Sequence, residues 1–406
     1  MTDTVTAAAV LLHRQPVHNE SRQLVGYEIR LAPCGAEPLA EAGVAARVLT
    51  DPRLGDLGGR RGFVTLPPSM LADPDAMPAG PGLVVMATAA GMDETATRNV
   101  LALAAAGRPV GLTGATVNAD PRLLDVASYL TLDLAADPDS LRDLADECRL
   151  GSRRGRITLI AGGVATGAHL TYAKLLGCGL LEGPLLSRPE PKAGGALSAS
   201  RLGRVQLMAA LQRRDTSLDE IVAMVARDPA LSFRLLNATN SASSGLSRRV
   251  SSVREAVVLL GTGRVRQWVS MMAFADMADA NEAYLTLAVS RARMCQLVAE
   301  RLHAPGEAAF TAGLLLAVAE LTGSPIADVV DRLPLAAALA TALVSGAGQL
   351  GEVLGAVRAY ERWLPPAMGW PLPVGELTEA YLAAGAWSAR VLADVLSQPG
   401  APARSA

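Results

Sequence analysis

Short apolar runs alternate with helical patterns along roughly the first 190 residues of the chain. The predicted strands are, in chain order, QLVGYEIRL, GFVTLP, GLVVMAT, RPVGLTG, YLTLDL and RITLIAGG. Helix-like segments lie between them, near 38–49, 93–106, 121–127, 139–150 and 166–176. Apolar strands joined by helical crossovers are typical of a parallel sheet covered on its faces. With the hairpin-like HRQPVHNESRQLVGYE before them, the strands suffice for a closed (β/α) barrel, which we favour over an open doubly wound sheet.

Strand signals end at SRPEPKAGGALSAS, residues 187–200, which is rich in proline, glycine and serine and is the predicted linker. Beyond it, apolar residues recur at steps of three and four, as in NEAYLTLAVSRARMCQLVAERLH, which indicates long amphipathic helices. Ser217 followed by Glu220 predicts a capping box at one helix start. We therefore predict a barrel-type domain over 1–190, an all-helical domain over 200–395 and a disordered tail over 396–406.

Composition narrows the class of protein. The chain has 406 residues, of which 50% are hydrophobic, and a formal net charge of −2. This near-neutral balance gives no electrostatic reason to expect nucleic acid or an anionic membrane as a partner. The longest apolar runs fall short of the roughly 20 apolar residues that span a bilayer. The four cysteines are scattered without metal-binding spacing. We expect a cytoplasmic protein that binds neither nucleic acid nor membrane.

The stretch LIAGGVATGAH, residues 159–169, predicts a buried strand that leaves its sheet into a glycine-rich loop. Such loops usually carry the catalytic groups of α/β proteins. Here the loop contains Gly162, Gly163 and Ala165 and no acidic residue. This raises the question of an active site that has lost its reactive side chains.

Three stretches resemble known families. HRQPVHNESRQLVGYEIR resembles the opening of EAL domains, which are barrels that bind and hydrolyse cyclic-di-GMP. LIAGGVATGAHLTYAKLLGCGLLEGPLLSRP resembles the late segment of the same family, usually close to AEGVET…LGCDxxQGYxxSRP. The helical half, especially LMAALQRRDTSLDEIVAMVARDPALSFRLLNATNS and AFTAGLLLAVAELTGSPIADVVDRLPL, resembles an HDOD domain. The resemblance implies a TIM-like (β/α) barrel of EAL type followed by an HDOD helical bundle, an order known from bacterial signalling proteins.

An EAL barrel that is active holds two divalent cations at its strand ends, and these generate a water nucleophile. By resemblance, the remnants of that site are Gln15, Glu28, Arg30 and Asp133. Gln15 matches a ligand-facing glutamine of the family, and Glu28 matches the glutamate that gives the family its name. The alanine and leucine that follow this glutamate in the family are Ile29 and Arg30 here. The other matched positions have lost the family's residue, namely Ala32 for a phosphate-contacting arginine, Thr65 for an asparagine, Thr113 and Gly114 for two aspartates, Thr131 for a lysine, and Gly162 and Ala165 for two glutamates.

Hard divalent cations need six or more oxygen ligands, several of them anionic. Glu28 and Asp133 alone are too few for two metals, so we expect no catalytic residue, no metal and no cofactor. Mg²⁺ or Mn²⁺ would be required only if the chain were a phosphodiesterase after all. Arg30 shares a strand face with Glu28. Our hypothesis is that its guanidinium takes the place of the metal and neutralises Glu28 by a charge-assisted hydrogen bond; the alternative is that Arg30 extends outward into solvent.

The helical half lacks the ligands of HD-type phosphohydrolases, because none of the four histidines precedes an aspartate. HDOD domains generally lack those ligands too. We therefore expect a non-catalytic signal-transduction or scaffold protein with a degenerate phosphodiesterase-like barrel. It would bind protein partners through the HDOD domain, with or without forming a homo-oligomer. Two alternatives remain open: a cyclic-di-GMP phosphodiesterase with an unorthodox site, and a receptor that binds cyclic-di-GMP without hydrolysing it.

Overall fold

The computed structural model describes the chain in twelve ranges that together form two compact units. The described residues are 9–34, 46–73, 77–78, 80, 82–116, 119–150, 156–187, 199–213, 216–240, 249–278, 281–362 and 370–396. The first unit is Met1–Arg188 with Pro373–Thr378, and the second is Pro189–Leu372 with Glu379–Ala406. Most of the predicted linker, the predicted tail beyond residue 396 and the first part of the helix expected near 38–49 lie outside the described residues.

Eight described strands of the first unit form a closed barrel in chain order. Strand β1 runs antiparallel to both β2 and β8, and the pairs from β2 to β8 are parallel. The strands are β1 Ala9–Asn19, β2 Leu24–Cys34, β3 Arg61–Leu66, β4 Leu83–Thr88, β5 Val110–Thr113, β6 Tyr129–Asp133, β7 Thr158–Gly162 and β8 Leu180–Glu182. The barrel prediction is confirmed, and β8 is a strand that the apolar pattern missed.

Helices follow most of the strands, with four of them at the positions predicted near 93–106, 121–127, 139–150 and 166–176. The side chains of Asp93, Asp120 and Thr166 accept a hydrogen bond from a backbone N–H of the first turn and so cap three helices. The helices of this unit with described bounds are Pro68–Leu71, Glu94–Ala105, Pro121–Val126, Pro138–Leu150, Gly167–Leu175 and Pro184–Ser187, with a 3₁₀ turn at Pro52–Gly55.

Side chains fill the inside of the barrel. Phe63 and Tyr129 meet edge to face with their ring centroids 5.1 Å apart. They belong to a buried cluster with Val17, Val84, Met86 and Ile160. Because this core is packed, ligands and reactive groups are restricted to the ends of the strands.

The second unit is helical throughout its described residues. The capping box predicted at Ser217 and Glu220 is present. Residues 199–396 form the helices Ala199–Leu211, Leu218–Ala226, Pro229–Thr239, Val253–Leu260, Thr262–Met277, Glu282–Arg301, Gly306–Thr322, Ile326–Val330, Ala337–Ser345, Gly348–Glu361 and Val374–Leu396. The prediction of a (β/α) barrel followed by a helical region is thus confirmed.

One described stretch, Ala337–Glu361, is long and apolar enough to cross a membrane by length and composition. In the structure it consists of two helices, because Gly346 ends the first with a left-handed φ of 71°. This residue interrupts the helix inside the apolar stretch.

The helices Glu282–Arg301 and Gly306–Thr322 approach each other closely at Gly313. A Cβ added at residue 313 would lie 2.7 Å from Ala292 Cα and 3.1 Å from its backbone nitrogen. A backbone cannot yield as a flexible side chain can, so glycine is required for this contact. Gly355 differs, since nothing lies within 4 Å of a Cβ added there.

These two glycines predict opposite effects of the same substitution. Gly313→Ala should lower the free energy of unfolding by about 1–3 kcal/mol through overpacking. Gly355→Ala should raise it by about 0.5–1 kcal/mol, because alanine has the better helix propensity. Urea unfolding followed by tryptophan fluorescence tests both, since Trp268, Trp363, Trp370 and Trp387 all lie in the second half of the chain. Equal destabilisation by both variants would contradict the close approach at Gly313.

Burial also makes the barrel sensitive to acid. His18 in β1 is 4% exposed, and its Nδ1 has no hydrogen-bond partner among the described residues. Burial and the nearby Arg22 charge lower the pKa of His18 from 6.5 to about 4. Below pH 6.5 the unfolded chain therefore takes up a proton that the folded chain does not.

The stability of the barrel should accordingly fall as the pH drops from about 6.5 towards 4, because the unfolded state binds more protons there. His18→Phe should flatten this part of the profile. Urea unfolding monitored by circular dichroism at several pH values measures the slope. A variant with the wild-type slope would show that His18 does not contribute.

Candidate functional site

The carboxyl ends of the parallel strands gather polar residues at one end of the barrel, which we call the mouth. Residues that pair between adjacent strands lie on the same side of a sheet. Glu28 pairs with Phe63 and Arg30 with Thr65, so both residues of β2 lie on the side of the inner core. By the same register the mouth also includes Thr88, Thr113, Thr131, Asp133, Gly162 and Glu182.

Arg30 lies against two buried acids of the mouth. Its Nη2 is 2.6 Å from Glu28 Oε2 and donates a hydrogen bond to Glu182 Oε1 at 3.1 Å. Glu28 and Glu182 are 5% and 2% exposed, whereas the Arg30 side chain is 46% exposed. Thr65 Oγ1 donates to the second oxygen of Glu28 at 3.3 Å. The guanidinium is therefore directed at the acids and not outward.

The two acids make different contacts with Arg30. Glu28 Oε2 has no aligned hydrogen-bond donor among the described residues, so its short contact with Arg30 is an ion pair. The aligned hydrogen bond goes to Glu182. Arg30 therefore lies within hydrogen-bonding range of Glu28, as our hypothesis requires, and it donates a further hydrogen bond to Glu182.

The pKa values follow from burial and from neighbouring charge. Burial raises the pKa of Glu182 well above its usual range, and the charge of Glu28 raises it further, while Arg30 acts in the opposite direction. Burial opposes the charge on Arg30, but Glu28, Glu182 and Asp133 together raise the pKa of its guanidinium. His13, which pairs with Arg30 across the β1–β2 ladder, has its pKa lowered to about 4 by burial and by Arg30. These shifts favour a single positive charge at the mouth, which Arg30 carries.

The other predicted remnants lie close to this group. Gln15 pairs with Glu28 across the β1–β2 ladder. Asp133 is exposed at the end of β6, where its Oδ1 accepts a hydrogen bond from the backbone N–H of Ala135 at 3.0 Å. The structure thus brings Gln15, Glu28, Arg30 and Asp133 to the same end of the barrel.

The positions that lost the family's residue line the same end with small or neutral groups. Thr65, Thr113 and Thr131, together with Thr88, present hydroxyl groups from four successive strands. Gly114 has a left-handed φ of 65° and lines a cavity of about 340 Å³ between the loops after β4 and β5. The backbone N–H of Ala165 donates to His169 Nδ1 at 3.2 Å. Ala32 pairs with Leu11 near the carboxyl end of β2.

Glu182 is the residue that the sequence analysis missed. It stands where the quoted family segment has the glutamine of QGY, so the acid at that position was a visible signal. A Cβ added at Gly162 would lie 3.2 Å from Glu182 Oε1 and 3.1 Å from Thr131 Cγ2. The missing side chain at residue 162 leaves the space that the Glu182 carboxyl group uses.

This set of donors does not fit a pair of divalent cations. Two such ions share many oxygen ligands, several of them anionic. The mouth offers Glu28, Glu182 and Asp133, and the first two are in contact with a guanidinium. Within the described ranges, no group of three or more acidic, histidine or cysteine side chains is arranged to hold a metal ion.

Comparisons with known proteins match both halves of the chain. A family model described as HDOD domain matches residues 203–327. The uncharacterized protein YuxH of Bacillus subtilis (strain 168) is 26% identical over 242 residues, which cover 58% of this chain and 59% of that protein. The cyclic di-GMP phosphodiesterase CdgJ of Vibrio cholerae is 31% identical over 216 residues, covering 52% of this chain and 49% of that protein. The matches thus span only about half to three fifths of each relative.

Solved structures of EAL proteins also match the chain. The PaMucR phosphodiesterase in complex with c-di-GMP has 21% identity and a TM-score of 0.37, covering 45% of this chain and 98% of that chain. The Bacillus subtilis YkuI protein, solved with its EAL domain in complex with c-di-GMP and calcium, has 14% identity and a TM-score of 0.34, covering 44% and 55%. The chain is thus similar to EAL–HDOD proteins: a closed eight-strand barrel is followed by a helical region in which residues 203–327 match the HDOD domain model.

Proposed function

We propose that this protein is a non-catalytic, cytoplasmic signalling protein whose barrel does not hydrolyse cyclic-di-GMP and whose HDOD domain binds a protein partner. The observation that carries the first part is the Arg30 guanidinium, which lies against both Glu28 and Glu182 at 2.6 and 3.1 Å. The positive charge of Arg30 is thus paired with the carboxylates that a metal would need.

The charge of Arg30 opposes metal binding directly. Two unit charges of the same sign 4 Å apart repel each other by about 4 kcal/mol at an effective dielectric constant near 20. A divalent cation beside Arg30 would meet about twice that repulsion. In addition, Gly114 and Gly162 supply no side-chain oxygen, and Thr65 and Thr113 supply only neutral hydroxyl groups. Both effects weaken the two-metal mechanism that generates the water nucleophile.

Two alternatives rest on the same barrel. The relative CdgJ is named a cyclic di-GMP phosphodiesterase, which favours an enzyme with an unorthodox site. Gln15 and Glu28, paired across the β1–β2 ladder, favour a receptor that binds the dinucleotide without cleaving it. Hydrolysis and binding are separate measurements, so the three functions can be distinguished.

The full chain, incubated with cyclic-di-GMP and Mg²⁺ or Mn²⁺, should give no linear dinucleotide above the level of a protein-free reaction. An active EAL phosphodiesterase assayed in parallel serves as the positive control. Metal-dependent product that disappears in Glu28→Gln would establish the enzyme.

Calorimetric titration of the full chain with cyclic-di-GMP, under conditions without turnover, then tests the receptor. A dissociation constant in the micromolar range or below would establish binding, and the absence of heat would support the scaffold.

The HDOD domain supplies a surface that supports the second part of the proposal. Phe233 and Val258 are both more than half exposed. They lie on the helices Pro229–Thr239 and Val253–Leu260, which pack against each other. Large apolar side chains that remain exposed on neighbouring helices are typical of protein-binding surfaces.

Replacing both residues, in Phe233→Asp/Val258→Asp, should abolish capture of the partner by the full chain in pull-down experiments from the native cells. The matched control is Leu175→Asp, which changes an even more exposed apolar residue on the barrel helix Gly167–Leu175. It should leave capture unchanged. If the control lost the partner and the double variant kept it, docking would belong to the barrel.

A further inference from the structure

We infer that Glu182 is a positioning residue that holds Arg30 over the mouth, so that the protein's own guanidinium takes the place of a bound cation. This inference rests on the proposed non-catalytic function and adds the residue that maintains it. Glu182 lies at the end of β8, 152 positions from Arg30.

One nitrogen atom of Arg30 bridges two carboxyl groups from different strands. Its Nη2 lies 2.6 Å from Glu28 Oε2 and 3.1 Å from Glu182 Oε1. Strands β2 and β8 flank β1 on either side, so the barrel brings these acids together across one intervening strand. A positive charge between two buried carboxylates is the arrangement that a metal cation would otherwise provide.

Glu28 and Glu182 together fix where the guanidinium points. Glu28 lies two residues before Arg30 on the same strand and forms an ion pair with it at 2.6 Å. Glu182 accepts the aligned hydrogen bond and comes from a separate strand, and charge-assisted hydrogen bonds of this kind are directional.

Gly162 leaves room for the Glu182 carboxyl group. A side chain at residue 162 would begin 3.2 Å from Glu182 Oε1, which is closer than most Cβ contacts. The carboxyl group would then have to shift by a few tenths of an ångström. The glycine and the buried glutamate therefore act together.

The test asks whether a cation can replace Arg30. Mn²⁺ alone is titrated into the full chain and followed by electron paramagnetic resonance. The wild type should show no saturable binding up to the highest Mn²⁺ concentration used, whereas Arg30→Met should bind Mn²⁺ saturably with a midpoint at least about tenfold below that concentration, because two buried carboxyl groups lose their partner. The double variant Arg30→Met/Glu182→Gln should lose that gain.

The chain offers a matched control in Arg122. This arginine also bridges two acids, at 2.9 Å from Glu94 and 2.7 Å from Asp120, but on the surface of the unit. Arg122→Met should therefore gain no Mn²⁺ binding, since exposed carboxylates remain solvated. The inference is overturned if Arg30→Met binds no better than the wild type, or if the double variant binds as tightly as Arg30→Met.

A second measurement covers the case in which Arg30→Met does not fold. Glu182→Gln preserves the shape of the side chain, and labelling with an arginine-specific dicarbonyl reagent, read by mass spectrometry, reports the freedom of Arg30. Labelling of Arg30 relative to Arg122 should increase in this variant, and an unchanged ratio would refute the positioning role. Neither readout uses hydrolysis, so an active wild type would overturn the proposed function without being confused with this result.

Discussion

Two buried carboxyl groups lie side by side at the mouth of the barrel, and this arrangement is stable only if their mutual repulsion is reduced. Glu28 and Glu182 come from β2 and β8, the two strands that flank β1. A buried charge without a partner costs several kcal/mol, and a second one of the same sign adds to that cost. The guanidinium of Arg30, which contacts both carboxyl groups, reduces this repulsion. The arrangement of the mouth depends on that compensation.

The helical unit also contains an arginine that is paired with two acids. Arg291, whose side chain is 10% exposed, makes ion pairs of 2.9 Å with Glu361, which is 15% exposed, and with Glu320, which is 44% exposed. These residues lie on three helices, Glu282–Arg301, Gly306–Thr322 and Gly348–Glu361, so one arginine ties the three together. Removing one partner of such a network leaves an uncompensated charge, which is strongly destabilising.

Much of the fold follows from the sequence, because it is set by local signals. Period and apolar content located the strands from β2 to β7, and polar caps marked helix starts such as Ser217. Strand β8 was missed because three residues, LLE, are too few to show a period. The choice between a barrel and an open sheet was also beyond local signals, since it depends on β1 pairing with both β2 and β8.

The site was predictable only in part, for a similar reason. The alternation of side chains along a strand placed Arg30 on the same face as Glu28. The second acid comes from a strand that follows 152 residues later, and only closure of the barrel makes them neighbours. The family pattern directed attention to positions that lack the family's acids, whereas Glu182 is an acid at the position where the quoted family segment has a glutamine.

Gly162 links the choice of residue on one strand to that on the next. A glutamate at residue 162 would place its first side-chain carbon 3.2 Å from the carboxyl oxygen of Glu182 and add a third acid to a crowded space. The Glu182 carboxyl group, which now accepts a hydrogen bond from Arg30 at 3.1 Å, would have to shift by a few tenths of an ångström to make room. The residue that β7 carries at its end therefore constrains the residue that β8 can carry beside it.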